Sequence, residues 1–472
     1  MRVALLNPKL KTWSPNVYPP LGLCYIASAL ENAGHKVSII DLNASKISDK
    51  KLAKQISDVD VIGITGLITE YNEVIRLSNV AKLSNKHAKI VIGGALATTH
   101  TKEVLSKSSA DYVVIGEGEI IIVKLLSAIE NNEDLSSIKG LAYKSNGLVQ
   151  MNDIPDIIEN LDTISFPARR LLNMEQYTTH HFKSYGMKTQ DIKSTTLLSS
   201  RSCPYKCEFC YHGLHGYKWR GRSPQNMITE IMQLHYEYGF DGFVFNDDTF
   251  VVDKKRVLEF CRLLKESNLN IKWYCNGRVN LMDEEIIRAM KESGCVGIAY
   301  GIESGNQDIL NSIKKAITIE QIEKITALTK KYGIYVTGYF MIGILGETKE
   351  NIEQTLEFAR KLDLDFYGFT MTSPVIGTPM YFKAQEQGFK VTKELEDFSF
   401  SLSINMTKDV TDKELEQYNK DAFREFTIEK RYGKHYLFNL SLWFDGFKSV
   451  LFLLGKRNVG ILFQKAWGVI KG

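Results

Sequence analysis

Three cysteines in eight residues, in the run Cys203-Pro204-Tyr205-Lys206-Cys207-Glu208-Phe209-Cys210, oblige one loop of this chain to gather three thiols. The Cys-x3-Cys-x2-Cys spacing suits a 4Fe–4S cluster in which one iron has no protein ligand. An open iron binds a small molecule and hands it an electron, so the run points to chemistry. Three other readings use the same residues. Structural zinc needs a fourth ligand, which His212 would supply. A disulfide fits poorly in a chain with seven cysteines and no secretory features. Buried inert thiols are common, as expected for Cys24, Cys261, Cys275 and Cys295, but not as a close trio.

The rest of the chain alternates short apolar strands with helical patterns. Up to about residue 131 the strands read Val3–Asn7, Val37–Asp41, Val61–Thr65, Ile90–Ile92 and Tyr112–Ile115. They are Val/Ile-rich, as parallel strands buried on both faces are. This predicts an α/β fold with an N-terminal doubly wound (Rossmann or flavodoxin-like) sheet over 1–135, with ligands beyond the carboxyl ends of its strands. Residues 136–190 read as a linker with a short hairpin, Leu141–Tyr143 and Leu148–Met151. A second alternation follows over 191–383, with strands at Thr195–Ser199, Gly242–Asn246, Ile271–Asn276, Val296–Ile302, Val336–Ile342 and Phe366–Thr372. Six βα units predict a partial (β/α)6 barrel, whose chemistry gathers at the C-terminal strand ends. Residues 384–472 read as a helical C-terminal segment.

Charge constrains partners. The net +4 is too small to argue for nucleic acid. The excess sits in the tail, where eight Lys/Arg from Lys430 onward face one acid, Asp445. The N-terminal Met1-Arg2-Val3-Ala4-Leu5-Leu6-Asn7 reads as a strand, too short for a signal-peptide core, and no apolar run reaches bilayer length. A reducing cytoplasm is the expected location, and it suits an oxygen-sensitive cluster.

The cysteine spacing resembles that of the radical SAM enzymes. In that family S-adenosylmethionine (SAM) chelates the open iron, and one electron cleaves it to a 5′-deoxyadenosyl radical. The resemblance extends along the second alternation. Phe209 matches an aromatic position near the adenine. The second strand ends in Asp247-Asp248, acids suited to the methionine ammonium. The third ends in Asn276-Gly277-Arg278, whose guanidinium suits the methionine carboxylate. The fourth ends in Glu303-Ser304, a position on the ribose hydroxyls. The fifth leads into Gly343-Ile344-Leu345-Gly346-Glu347-Thr348, like a Gly-x-Pro-Gly-Glu-Thr turn with Leu345 in place of proline. Taken singly, an acid pair is as readily an N-cap, an arginine structural and a glycine turn only a turn. Their order after the cluster loop carries the resemblance.

The N-terminal pattern resembles the cobalamin-binding branch of that family, through Tyr18-Pro19-Pro20-Leu21-Gly22-Leu23, Ile92-Gly93-Gly94-Ala95 and Ile115-Gly116-Glu117-Gly118-Glu119. The resemblance implies that Gly93, Gly94, Gly116, Glu117 and Gly118 flank the nucleotide tail of cobalamin. Gly66, Leu67 and Ile68 would face the cobalt from below. No histidine has an Asp two residues before it, so cobalamin is expected base-off without a histidine ligand.

The implied activity is C-methylation of an unactivated carbon, through the cluster, the deoxyadenosyl radical and methylcobalamin. A radical cyclase or oxidative rearrangement enzyme of the same branch is the alternative, and a non-catalytic metal-binding interaction protein is the reading from outside enzymes. Methylthiolating relatives carry three further N-terminal cysteines, where this chain has Cys24. The expected partners are a small-molecule or lipid-like substrate and an electron donor such as flavodoxin or ferredoxin. The aromatic, lysine-spaced runs Tyr436–Phe444 and Val450–Leu454 read as helices that cap the barrel or lie peripherally on a membrane.

Overall fold

The computed structural model describes residues 1–9, 17–45, 47–145, 147–177, 192–392, 394–398 and 404–430. The basic aromatic tail therefore lies outside the described residues. Two sheets organise the molecule. The first has seven strands in the order β2-β1-β3-β4-β5-β6-β7: β1 Arg2–Asn7, β2 Lys36–Asp41, β3 Val61–Thr65, β4 Lys89–Gly93, β5 Tyr112–Val114, β6 Leu141–Ser145 and β7 Leu148–Met151. The first five are parallel, in register through pairs such as Val3↔Val61 and Ile62↔Ile90.

This strand order reverses between β1 and β3, which opens a crevice at the carboxyl edge. Helices Leu21–Asn32 and Gly118–Asn131 cover one face through Leu23, Ala27, Leu30, Ile121 and Leu125. Helix Tyr71–Ser84 packs Val74, Leu77 and Ala81 on the other. The hairpin β6–β7, expected within a linker, instead extends the sheet antiparallel along β5. The Tyr112–Val114 edge needs partners for its backbone, and the hairpin supplies them.

The second sheet holds six parallel strands in sequence order: β8 Ser194–Leu197, β11 Gly242–Phe245, β12 Lys272–Gly277, β13 Cys295–Glu303, β14 Tyr335–Ile342 and β15 Phe366–Met371. The edge strands β8 and β15 do not pair with each other, so the barrel stays open. Alternation sorts the side chains. Phe245 and Trp273 point outward into a buried aromatic group with Phe250 and Phe260. Val244, Tyr274 and Ala299 fill a separate cluster. The helices start where capping residues place them: Ser223 accepts from Asn226 N–H ahead of Pro224, and Thr318 and Thr348 form capping boxes with Gln321 and Asn351. A two-stranded ribbon, β9 Ser200–Arg201 with β10 Arg220–Gly221, frames the cysteine loop.

The C-terminal segment ties the halves together. Leu395 and Phe398 enter the core of the first domain, and Asn72 donates to the Glu396 carbonyl at 2.8 Å. Helix Asp412–Ala422 continues as a π-helix over Phe423–Glu429 against β15. Among the described residues, no helix is long and apolar enough to cross a membrane.

Candidate functional site

The cysteine loop leaves the barrel at the end of β8 and is fixed there by buried charge. Asp247 follows β11 and is 1% exposed. Its carboxylate accepts from Ser199 N–H at 2.6 Å and Ser200 N–H at 3.0 Å, and from the Ser199 hydroxyl. Arg256 donates to the Ser199 carbonyl at 2.8 Å. Arg222 donates to the Leu198 carbonyl and pairs with buried Glu230, which also holds Arg169. Removing charges from water is repaid only by full pairing, so these contacts hold the loop's origin rigid. Ser202 then takes a left-handed φ of 71° and anchors its hydroxyl on the Gly216 carbonyl, which turns the chain into Cys203.

The three thiols meet distinct neighbours. Cys203 Sγ lies 3.4 Å from Thr249 Oγ1. Cys207 is buried, and Arg278 Nη1 approaches its sulfur at 3.8 Å. The neighbouring Cys210 thiol, with Lys315 and Arg278, draws the Cys207 thiol below its ordinary range. Cys207 and burial push the Cys210 thiol upward. Glu208, between the two, is clamped on its backbone: its N–H donates to Ile313 O at 2.9 Å and its carbonyl accepts from Met380 N–H at 2.9 Å. Among the described residues, no three His, Cys, Asp or Glu side chains converge on a single ion position. His212, the suggested fourth ligand, stacks instead on Tyr217 at 4.2 Å. A partly exposed, cation-flanked loop of three thiols fits a cluster ligand set.

Around this loop the expected SAM contacts divide. Arg278 is 7% exposed, its guanidinium lies 3.7 Å from the Tyr205 ring centre, and its Nε and Nη2 have no partner. Asp248 is exposed at the edge of the cavity described below. Glu303 takes φ 66° at a bulge in β13, and its Oε1 bonds buried Lys315 at 2.6 Å. Phe209, Met341 and Leu345 each pack against one apolar cluster that includes Ile313 and, from the Gly343–Gly346 turn, Ile344. Gly343 and Gly346 both need positive φ there, 83° and 79°. Asp247 and Ser304 are spent elsewhere. Asp247 pins β8 as above, and Ser304, fully buried, bonds Thr355 Oγ1 at 3.0 Å. Both sit at the expected strand ends, but the fold consumes their polar atoms before a ligand arrives.

Glu347 closes the turn after β14. It is fully buried, and its Oε2 accepts from Gly343 N–H at 2.8 Å and Ile344 N–H at 3.0 Å. Burial outweighs those donors and pushes its carboxyl up to about 7. The folded state therefore keeps this proton after the unfolded chain has lost it. That contribution to stability is present at acid pH and fades as pH rises from the unfolded value through about 7. Between pH 5 and 8, denaturant unfolding should show wild type losing about 2 kcal/mol relative to Glu347→Gln. Parallel stability profiles would refute the assignment.

A cavity of about 260 Å³ opens at the carboxyl edge of the first sheet. Its floor is Leu5, Gly63 and Val91, its wall is Leu23 and Ile26, and Gly93 and Gly116 stand at its rim. Gly94, φ 87°, has no space for a side chain: a Cβ would lie 2.6 Å from Thr65 Oγ1 and 3.2 Å from the Gly66 backbone. A largely apolar cavity between sheet and helix, bordered by glycines, suits a base and its ribose, as the nucleotide tail of cobalamin requires. The same cavity is lined from the barrel side by Ser202, His215, Asn246 and Asp248. Leu67 is 49% exposed, whereas Ile68 is buried in the domain core and faces no ligand. Gly66 backs onto Val74 and accepts from Leu96 N–H at 3.0 Å.

Glu117, expected at the nucleotide tail, is buried in a latch between the two halves. It pairs with Arg201 at 3.1 Å, Arg220 at 2.8 Å and His215 at 3.2 Å, and accepts from Ile158 N–H at 2.7 Å. Burial opposes its charge, but His215 and the two guanidiniums hold the carboxyl far below its ordinary range. Arg201, Arg220, His215, Lys315 and Thr249 carry no local motif. Only their partners across the fold identify them.

Known proteins share both halves. The radical SAM superfamily model matches residues 197–359, and the B12 binding domain model matches residues 11–126. An uncharacterized methyltransferase of Pyrococcus horikoshii is 34% identical over 91% of this chain and 93% of its own. The anaerobic magnesium-protoporphyrin IX monomethyl ester cyclase of Rubrivivax gelatinosus is 27% identical over 92% of this chain and 78% of its own. The solved radical SAM methyltransferase TsrM of Kitasatospora setae, with tryptophan and a SAM analogue bound, superposes with a TM-score of 0.70 over 82% of this chain and 76% of its own. At 19% identity that likeness is one of fold.

Proposed function

The chain belongs to the cobalamin-binding radical SAM enzymes, and on that premise we propose that it transfers a methyl group to an unactivated carbon of a small-molecule substrate. Its cofactors are a 4Fe–4S cluster, SAM and cobalamin. The observation that carries the reading is the shared cavity: one space is walled by Gly93 and Gly116 from the first domain and by Ser202 and Asp248, beside the cysteine loop, from the barrel. When bound, these cofactors supply a substrate radical and the methyl group that quenches it.

The protein's own work is binding and exclusion. Cys203, Cys207 and Cys210 hold the cluster. The two unpartnered nitrogens of Arg278, held against Tyr205, would take the methionine carboxylate. Asp248 takes the ammonium. Glu303, held by Lys315, keeps its second oxygen for a ribose hydroxyl. Phe209 and the wall of Met341 and Leu345 shield the adenine from water. Gly93, Gly94, Gly116 and Gly118, which line the cavity, would border the nucleotide tail of cobalamin, and exposed Leu67 has no atom that could ligate cobalt. The same proposal places the enzyme in a reducing cytoplasm with flavodoxin or ferredoxin as reductant. It leaves peripheral membrane contact, and with it a lipid-like substrate, to the tail beyond Lys430.

Product analysis tests the reading. Methyl transfer consumes one SAM as methyl donor and another as radical source, so the reduced holoenzyme with substrate should form both S-adenosylhomocysteine and 5′-deoxyadenosine. The likeness to a ring cyclase favours one competing outcome. Deoxyadenosine without S-adenosylhomocysteine would replace methylation with cyclisation.

A further inference from the structure

The outer face of the cysteine loop carries cations that neither ligand site uses. Lys206 directly precedes Cys207, is exposed, and holds its Nζ 5.7 Å from the Tyr217 ring centre. Tyr217 is itself 42% exposed and stacks on His212. Lys314 and Lys383 converge on Glu208 at 2.7 Å and 2.9 Å. Their side chains are 63% and 47% exposed, whereas that of Glu208 is 3% exposed. The acid is thus beneath and the ammonium groups face water. The result is a basic rim around an exposed aromatic ring, laid over the segment that carries Cys207 and Cys210.

We propose that this rim is the docking surface for a small acidic electron-transfer protein that reduces the cluster. The inference rests on the functional reading above, since it needs a cluster in the loop. The donor gives up one electron, the cluster accepts it, and no bond is made or broken. The chemistry of the face fits such a partner. Redox encounters use small, transient interfaces, and opposite charge raises their association rate rather than their lifetime. Aromatic residues with a charged rim form the usual centre of such a contact. A donor seated on Lys206 and Lys314 stands against Glu208 and the residue preceding Cys207, on the segment that carries the ligand pair.

The experiment compares two reductants on the reconstituted full-length holoenzyme. Cluster bleaching is followed by stopped flow with dithionite and with photoreduced flavodoxin, an acidic flavoprotein. Lys206→Glu should slow the flavodoxin reaction about tenfold or more at low salt and leave the dithionite reaction unchanged. The wild-type flavodoxin rate should fall steeply with ionic strength, and the variant's should fall less. Lys331→Glu, a reversal at the far end of helix Ile319–Lys331, controls for net charge and should leave the flavodoxin rate near wild type. Equal flavodoxin rates for Lys206→Glu and wild type, or equal losses for both reversals, would overturn the docking surface while the cluster assignment stands. A cluster that dithionite cannot reduce would overturn both.

Discussion

Cys207→Ala should empty the cluster loop. Cys207 is the most enclosed of the three candidate ligands, and Arg278 Nη1 faces its sulfur at 3.8 Å. Alanine removes a ligand and leaves the buried guanidinium without its anion. Two thiolates cannot retain a cluster that three hold at one open corner. After anaerobic reconstitution, iron should fall from about four per chain to background. 5′-Deoxyadenosine formation should fall by at least about 10³-fold, because no protein group substitutes for the electron source. The loop's supports, Asp247, Arg256 and the Glu230 pairs, lie outside the ligand set, so circular dichroism should stay that of wild type. Cys207→Ser tests the chemistry separately, since it keeps the size and lacks the soft donor. Either variant with full iron and turnover would remove the basis of the functional reading.

Gly93→Leu should abolish cobalamin binding while preserving the fold. Gly93 is the glycine at which this can be done cleanly. Its φ is −136°, open to any residue, and a Cβ built there has its nearest neighbour, the Val114 carbonyl, at 3.9 Å. The added side chain therefore grows into the cavity of about 260 Å³ rather than into the protein. An isobutyl group takes a large share of that space and blocks a planar base. Corrin absorption after hydroxocobalamin loading should fall at least about 100-fold in affinity, with unfolding free energy changed by less than about 1 kcal/mol. Deoxyadenosine formation should persist, because the cysteine loop is untouched, and S-adenosylhomocysteine should vanish. Gly94→Ala is the contrasting case. It would strain a backbone at φ 87° and crowd Thr65, so it should lower stability as well as binding. Normal corrin retention by Gly93→Leu would place cobalamin elsewhere.

Much of the fold was legible because strands buried on both faces announce themselves. Val61–Thr65 was read with the bounds the structure gives it. The first barrel strand, read to Ser199, ends at Leu197, because Asp247 captures the amides of Ser199 and Ser200 and pulls them out of the ladder. The hairpin β6–β7 is legible as a hairpin within a linker, but two short strands carry no sign of the sheet they join. In the site, the cysteine spacing is a local property of one loop, and so it shows in the chain. Asp247 and Asp248 are adjacent and chemically alike, yet one supports β8 and the other faces the cavity. Alternation on the strand end separates them, and no spacing rule assigns which becomes which.

The succession of strands and helices along the chain, the glycines at strand ends and the three thiols were settled by the linear sequence, because each depends on neighbours a few residues apart. The latch of Glu117 with Arg201, Arg220 and His215, the Lys315 partner of Glu303 and the cavity lined from both halves were decided by the tertiary structure alone. A buried charge takes its role from whichever opposite charge the packed domains bring within reach, and that distance exists only once two halves of the chain have closed on each other.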